Sequence, residues 1–109
     1  MDKLYVVVRS DILPGEQVAQ SNHAVIRWCL EHIELTQNWL NTSEIIVCLG
    51  IKNEEELIKL IQRAEQKEIK YSIFREPDMN NELTSVVFEP GENSKKLCSN
   101  LGLVLRNLK

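Results

Sequence analysis

The chain has 109 residues, 43% of them hydrophobic and 27% charged, with a formal net charge of −3. That length suits one domain, and the composition is that of an ordinary globular protein, which excludes a fibrous or low-complexity chain. The acidic balance argues against a protein clothed in positive charge for DNA, while leaving room for a local basic patch.

No run approaches the roughly 18 apolar residues of a membrane span. Met1-Asp2-Lys3-Leu4 leads straight toward a strand without the layout of a signal peptide. A cytoplasmic chain with no membrane partner is expected. Cys29, Cys48 and Cys98 are odd in number, scattered and free of Cys-x-x-Cys spacing. They predict neither a disulfide framework nor a zinc site, but small buried hydrophobes.

In chain order, Leu4-Tyr5-Val6-Val7-Val8 is β-branched and nearly all apolar, which predicts a central strand over 3–9, covered on both faces. Pro14-Gly15 marks a turn. Ala19, His23, Ile26, Leu30 and Ile33 then recur at helical spacing and predict a helix over 16–34 with these residues as its apolar stripe. Glu16 and Gln20 stand at i, i+4, where their side chains can meet. Residues 35–42 read as a short second helix or turn, with Trp28 and Trp39 as packing residues. His32 reads as a surface residue.

Glu44 to Leu49 is the second strand, and Gly50 ends it. Asn53 with Glu56 three residues on is a capping-box pattern, opening a helix that runs to about Lys67. The glutamates at 54–56 suit the positive end of the helix dipole. Ile69, Tyr71 and Ile73 alternate with polar residues as a third strand. Residues 74–81 form a polar turn with Pro77, and 83–88 a fourth strand. Residues 93–101 read as a last helix with Leu97, Cys98 and Leu101 inward. The tail 103–105 joins the sheet or packs on it.

The order β-α-α-β-α-β-β-α predicts an α/β fold. One domain over residues 1–109 is expected, a four-stranded mixed β-sheet with helices on both faces. Strands separated by helices give parallel crossovers, and the closely spaced third and fourth strands an antiparallel pair.

The densest polar stretch lies where the first strand turns into the first helix, a place where α/β proteins often bind ligands. It reads Arg9-Ser10-Asp11, then Gly15-Glu16, then Val18-Ala19-Gln20-Ser21-Asn22-His23-Ala24. This pattern resembles the signature of the archaeal and eukaryotic class of peptidyl-tRNA hydrolase: Arg-x-Asp closing a strand, a Gly-Lys turn, and Ala-Gln-x-x-His-Ala on a helix. The resemblance runs along nearly the whole chain.

It implies hydrolysis of the ester between a peptide and the 3′ ribose of tRNA, with no metal and no cofactor. The implied partner is peptidyl-tRNA or a related RNA ester, and family members commonly form homodimers. His23 is then general base or orients the water. Glu76 or Asp78, standing where the family has an aspartate, fixes its tautomer. Gln20, Asn22 or Thr84 donates to the oxyanion or the ribose. Asp11 acts from the loop or caps the turn. Glu16 occupies the family's lysine position and reverses the charge expected to meet phosphate. Arg9 reads as a strand-end ion-pair partner. The alternative is an inactive relative that keeps the fold as an RNA- or protein-binding module.

Overall fold

A computed structural model describes residues 2–106. Its elements are β1 (Lys3–Arg9), α1 (Pro14–Glu31), α2 (Ile33–Thr42), β2 (Ile45–Ile51), α3 (Glu54–Gln66), β3 (Tyr71–Glu76), a 3-10 turn (Pro77–Met79), β4 (Glu82–Phe88) and α4 (Glu92–Leu97). The sheet order is β2-β1-β4-β3. β1 runs parallel to β2 and antiparallel to β4, and β3 is antiparallel to β4. The mixed four-stranded sheet and the element order are those the sequence predicts.

Each face of the sheet carries its own core. Tyr5, Val7, Leu49, Val86 and Phe88 meet Leu57, Leu60 and Ala64 of α3 and Leu97 of α4. Leu4, Val6 and Val87 meet Ala24 and Trp28 of α1 and Trp39 of α2. Val6, Val7 and Val8 are at most 1% exposed, as the apolar run of a central strand requires. Trp28, fully buried, anchors α1; truncating a core aromatic of this kind costs about 3–5 kcal/mol.

The buried face of α1 is not the predicted one. Gln17, Gln20, Ser21, Ala24 and Trp28 face the sheet. Ile26, Leu30 and Ile33 are 57%, 69% and 58% exposed, and Ala19 and His23 are exposed with them. The two stripes are offset by two residues, roughly 200° around a helix. Polar residues win the inner face because each finds a partner there. Ser21 Oγ donates to Gln17 O at 2.7 Å, and Gln17 Nε2 donates to Ile12 O at 2.8 Å.

Other boundaries shift for local reasons. The helix expected over 16–34 starts at Pro14, where proline's fixed φ suits the first turn. It stops at His32, whose φ of −133° and ψ of 64° are not helical, and α2 begins at the next residue. His32 is not a surface residue. It is half-buried and its ring stacks on Trp28 at 4.1 Å. β3 begins at Tyr71 rather than Ile69, and α4 ends at Leu97, with Cys98 and Leu101 still packed inward. Asn53 Oδ1 accepts from Glu56 N–H at 2.9 Å, the predicted cap. Beyond α4, Gly102 O accepts from Gly50 N–H and Val104 N–H donates to Cys48 O, both at 3.0 Å, so the tail lies along the outer edge of β2.

Candidate active site at the bulge of β4

The carboxyl end of β1, the first turns of α1, the end of β3 and the start of β4 converge at one end of the sheet. Arg9 sits at their centre, 7% exposed. Its Nε donates to Asp11 Oδ1 at 2.9 Å and one Nη to Asp11 Oδ2 at 3.0 Å. The other Nη donates to Glu82 Oε1 at 2.7 Å and to Leu83 O at 3.3 Å. The guanidinium holds the Asp11 carboxyl below the usual carboxylate range, against the opposing effect of burial. Arg9 is thus the predicted strand-end ion-pair partner, and its charge is matched by two carboxylates.

Next to this cluster β4 carries an irregularity. Phe74 pairs with Ser85, but Arg75 pairs with Leu83, so Thr84 has no partner on β3. An extra residue of this kind is a β-bulge, which kinks the strand and re-aims a side chain. Here it places Thr84 and Ser85 on the same face, toward α1. Ser85 Oγ donates to the Gln20 carbonyl at 2.7 Å, and Thr84 Oγ1 to Gln20 Oε1 at 2.7 Å. Gln20 Nε2 in turn donates to Glu76 Oε1 at 2.8 Å. The Leu83 N–H beside the bulge is satisfied by Glu54 Oε2 of α3 at 2.8 Å. Gln20, Thr84 and Ser85 are 4%, 0% and 0% exposed, so the network lies where its bonds are least screened.

Three of the predicted residues, Gln20, Glu76 and Thr84, are therefore in one chain of hydrogen bonds. His23 lies one turn along α1 from Gln20. It is exposed and stacks on Phe74 of β3, with ring centroids 4.4 Å apart and planes 14° apart. Among the described residues it makes no hydrogen bond to Glu76 or Asp78. Asp78 is exposed on the 3-10 turn after β3. Asn22 is exposed on the other flank of α1, facing the tail, and does not join the network. Glu16 does not meet Gln20; its carboxylate accepts from the Leu13 N–H at 2.9 Å and closes the start of the helix.

The network orients one amide and one hydroxyl. Glu76 fixes Gln20 Nε2 as donor, so Gln20 Oε1 faces Thr84. The buried Thr84 hydroxyl is spent on Gln20, and the Glu76 carboxylate keeps a second oxygen for another donor. A carboxylate held in place beside an imidazole supplies the parts needed to position a water and move its proton. Glu82, in the polar cluster 75–84 that the sequence sets against the motif, does meet it through Arg9; sequence reasoning missed Ser85 and Phe74. Their only signal was proximity to the polar turn between the third and fourth strands, because a bulge leaves no mark in a pattern of alternating residues.

Comparison with known proteins adds the family. No curated protein matches the chain. A solved structure of a protein of unknown function from Agrobacterium tumefaciens superposes with a TM-score of 0.71 at 14% identity, covering 94% of this chain and 96% of that one. At that identity the likeness is one of fold. The family model for peptidyl-tRNA hydrolase PTH2 matches residues 2–103, from the start of β1 through every helix and strand to the tail. The chain belongs to the peptidyl-tRNA hydrolase PTH2 family.

Proposed function

We propose that this chain, as a single domain over residues 1–109, hydrolyses the ester joining a peptide to the 3′ ribose of tRNA. The observation that carries the reading is the Glu76–Gln20–Thr84 network at the bulge, beside the motif histidine. In the proposed reaction His23 takes a proton from the attacking water. The water oxygen bonds to the ester carbonyl carbon, the ribose oxygen leaves, and the proton passes to it. Glu76 is the acidic residue of the site and Asp78 is not, because Glu76 alone is held by the network. Thr84 and Gln20, buried in the network, are positioning residues that hold the half-buried Glu76 at the site. Asp11 acts through Arg9, keeping it at the strand end.

Glu16 cannot contact phosphate favourably, and Arg9 is already paired. Arg27 supplies a cation instead. It is exposed on α1, four residues beyond His23, so the two side chains share one face. Two copies of the chain pair across the exposed Ile26, Leu30 and Ile33, one to three turns beyond His23. The substitutions Ile26→Lys and Leu30→Lys turn that dimer into a monomer in analytical ultracentrifugation.

The test is release of N-acetylated amino acid from its tRNA. Wild type is active, His23→Ala loses on the order of 10²-fold in kcat, and Arg27→Ala raises KM with little change in kcat. Wild type inert with Glu16→Lys active identifies a lapsed hydrolase. All variants inert leaves the family resemblance as one of fold and points to a binding module.

A further inference from the structure

The His23 imidazole rests on a ring rather than against a carboxylate. It lies on the phenyl of Phe74 with centroids 4.4 Å apart and planes 14° from parallel. Phe74 is also the residue of β3 that meets the bulge. It pairs with Ser85, the register shifts between it and Arg75, and its carbonyl accepts from Thr84 Oγ1 at 3.4 Å. Its side chain is half-buried and packs against the core that holds Ala24, Trp28 and Val87. The phenyl is therefore backed by the core on the α1 side of the sheet, its backbone is tied to the bulge, and exposed His23 lies on its face.

A stack and a hydrogen bond order an imidazole differently. A carboxylate on one ring nitrogen commits that nitrogen and so fixes the tautomer. A stack acts on the face of the ring. The N–H and the lone pair of an imidazole lie in the ring plane, so a stack fixes the plane and leaves both nitrogens free. The phenyl face is the negative end of a quadrupole, so the contact also persists when the imidazole carries a proton. A group that takes a proton from water and passes it on needs an orientation that holds in both charge states.

We propose that Phe74 is the positioning residue for His23, fixing the plane of the imidazole at the site while leaving both ring nitrogens free to carry the proton. This rests on the ester-hydrolase reading, in which His23 takes that proton. It gives the bulge a second task. Through Phe74 the register set at Thr84 and Ser85 reaches the histidine, which neither of them bonds.

The test reads the His23 ring by NMR and the hydrolysis of N-acetylated aminoacyl-tRNA by steady-state kinetics. Phe74→Leu keeps an apolar side chain against the core and removes the ring, while Phe74→Tyr keeps the ring. In wild type the carbon-bound protons of the His23 imidazole should lie upfield, displaced by the ring current of Phe74. They should return toward ordinary positions in Phe74→Leu and stay displaced in Phe74→Tyr, Glu76→Gln and Asp78→Asn. Phe74→Leu should lower kcat about fivefold to tenfold, the worth of one aromatic pair. KM should change less than about twofold, because Phe74 acts through His23 and not on the substrate. Phe74→Tyr should hold kcat within about twofold of wild type. Ring protons moved by Glu76→Gln or Asp78→Asn and unmoved by Phe74→Leu overturn the proposal, as does full kcat in Phe74→Leu. Should the leucine variant not fold, wild type decides: a His23 ring without upfield displacement overturns the proposal, and a displaced ring with kcat retained in Phe74→Tyr supports it. The ring shifts need no substrate, so the two failures are distinguishable. A stacked ring in a wild-type chain that hydrolyses no ester overturns the hydrolase reading and leaves Phe74 a packing residue.

Discussion

Gln20 ties α1 to the bulge, and the strength of that tie follows from its bonds. Replacing Gln20 with Met keeps the volume and removes both side-chain bonds. The neutral bond from Thr84 contributes about 1 kcal/mol and the charge-assisted bond to Glu76 about 1.5–3. The Thr84 hydroxyl, 0% exposed, keeps only a long contact with Phe74 O at 3.4 Å. A loss of about 3 kcal/mol results. With an unfolding entropy of about 2.1 cal/mol/K per residue, that lowers Tm by about 13 °C. Thr84→Val, which strands Gln20 Oε1, costs about 2 kcal/mol. The double variant should cost about 1–2 kcal/mol less than the sum, because each single change leaves a buried group unpaired and the double change leaves fewer. Urea titration of the four proteins measures this coupling. Additivity within about 0.5 kcal/mol would refute the claim that Thr84 and Gln20 act as a pair.

Three further outcomes are expected. The Asp11 carboxyl is held below its ordinary value chiefly by Arg9, so its contribution to stability is fully present above the unfolded value near 3.9 and is lost as pH falls through the lowered folded value. Asp11→Asn should therefore flatten the fall in stability below about pH 4 in acid-titration experiments, and an unchanged curve would contradict the pairing. Burial pushes the Cys98 thiol up to about 12, so in native protein at neutral pH it should be the last of the three cysteines alkylated by iodoacetamide, at the rate of global opening. Gly91 has a φ of 145°, which L side chains rarely adopt, while a Cβ added there would meet nothing within 4 Å. Gly91→Ala should destabilise by at least about 1 kcal/mol through backbone strain alone, measured by the same urea titration.

The strands were legible from their apolar runs: Leu4 to Val8 read as a central strand and is one, and Leu83 to Phe88, read as the fourth strand, lies beside it, whereas the equally apolar second strand, read as buried, is an edge strand with Ile46 half-exposed. α3 was equally plain, since its cap and its apolar positions agree. α1 was misread in its facing, because the apolar stripe through Ile26, Leu30 and Ile33 is the outer one. Hydrophobic period alone cannot see that Gln17, Gln20 and Ser21 find hydrogen-bond partners inside, which offsets the cost of burying them. At the site, the motif pointed to Gln20, and the family resemblance, by position on the fourth strand, to Thr84. What brought them together was a bulge, a change of register with no residue pattern of its own. Glu16 and Asn22 sit in the motif but not in the network, so spacing along a helix located their turn without fixing their direction.

The central claim is that the carboxylate held by the bulge network, rather than its exposed neighbour, serves the reaction. Single-turnover release of N-acetylated amino acid from tRNA, measured for wild type, Glu76→Gln and Asp78→Asn, tests it most directly. The account predicts that Glu76→Gln loses on the order of 10²-fold in rate with its fold intact, while Asp78→Asn stays within about threefold of wild type, as a solvent-exposed carboxylate outside the network should. A full rate in Glu76→Gln, or the larger loss in Asp78→Asn, would contradict it.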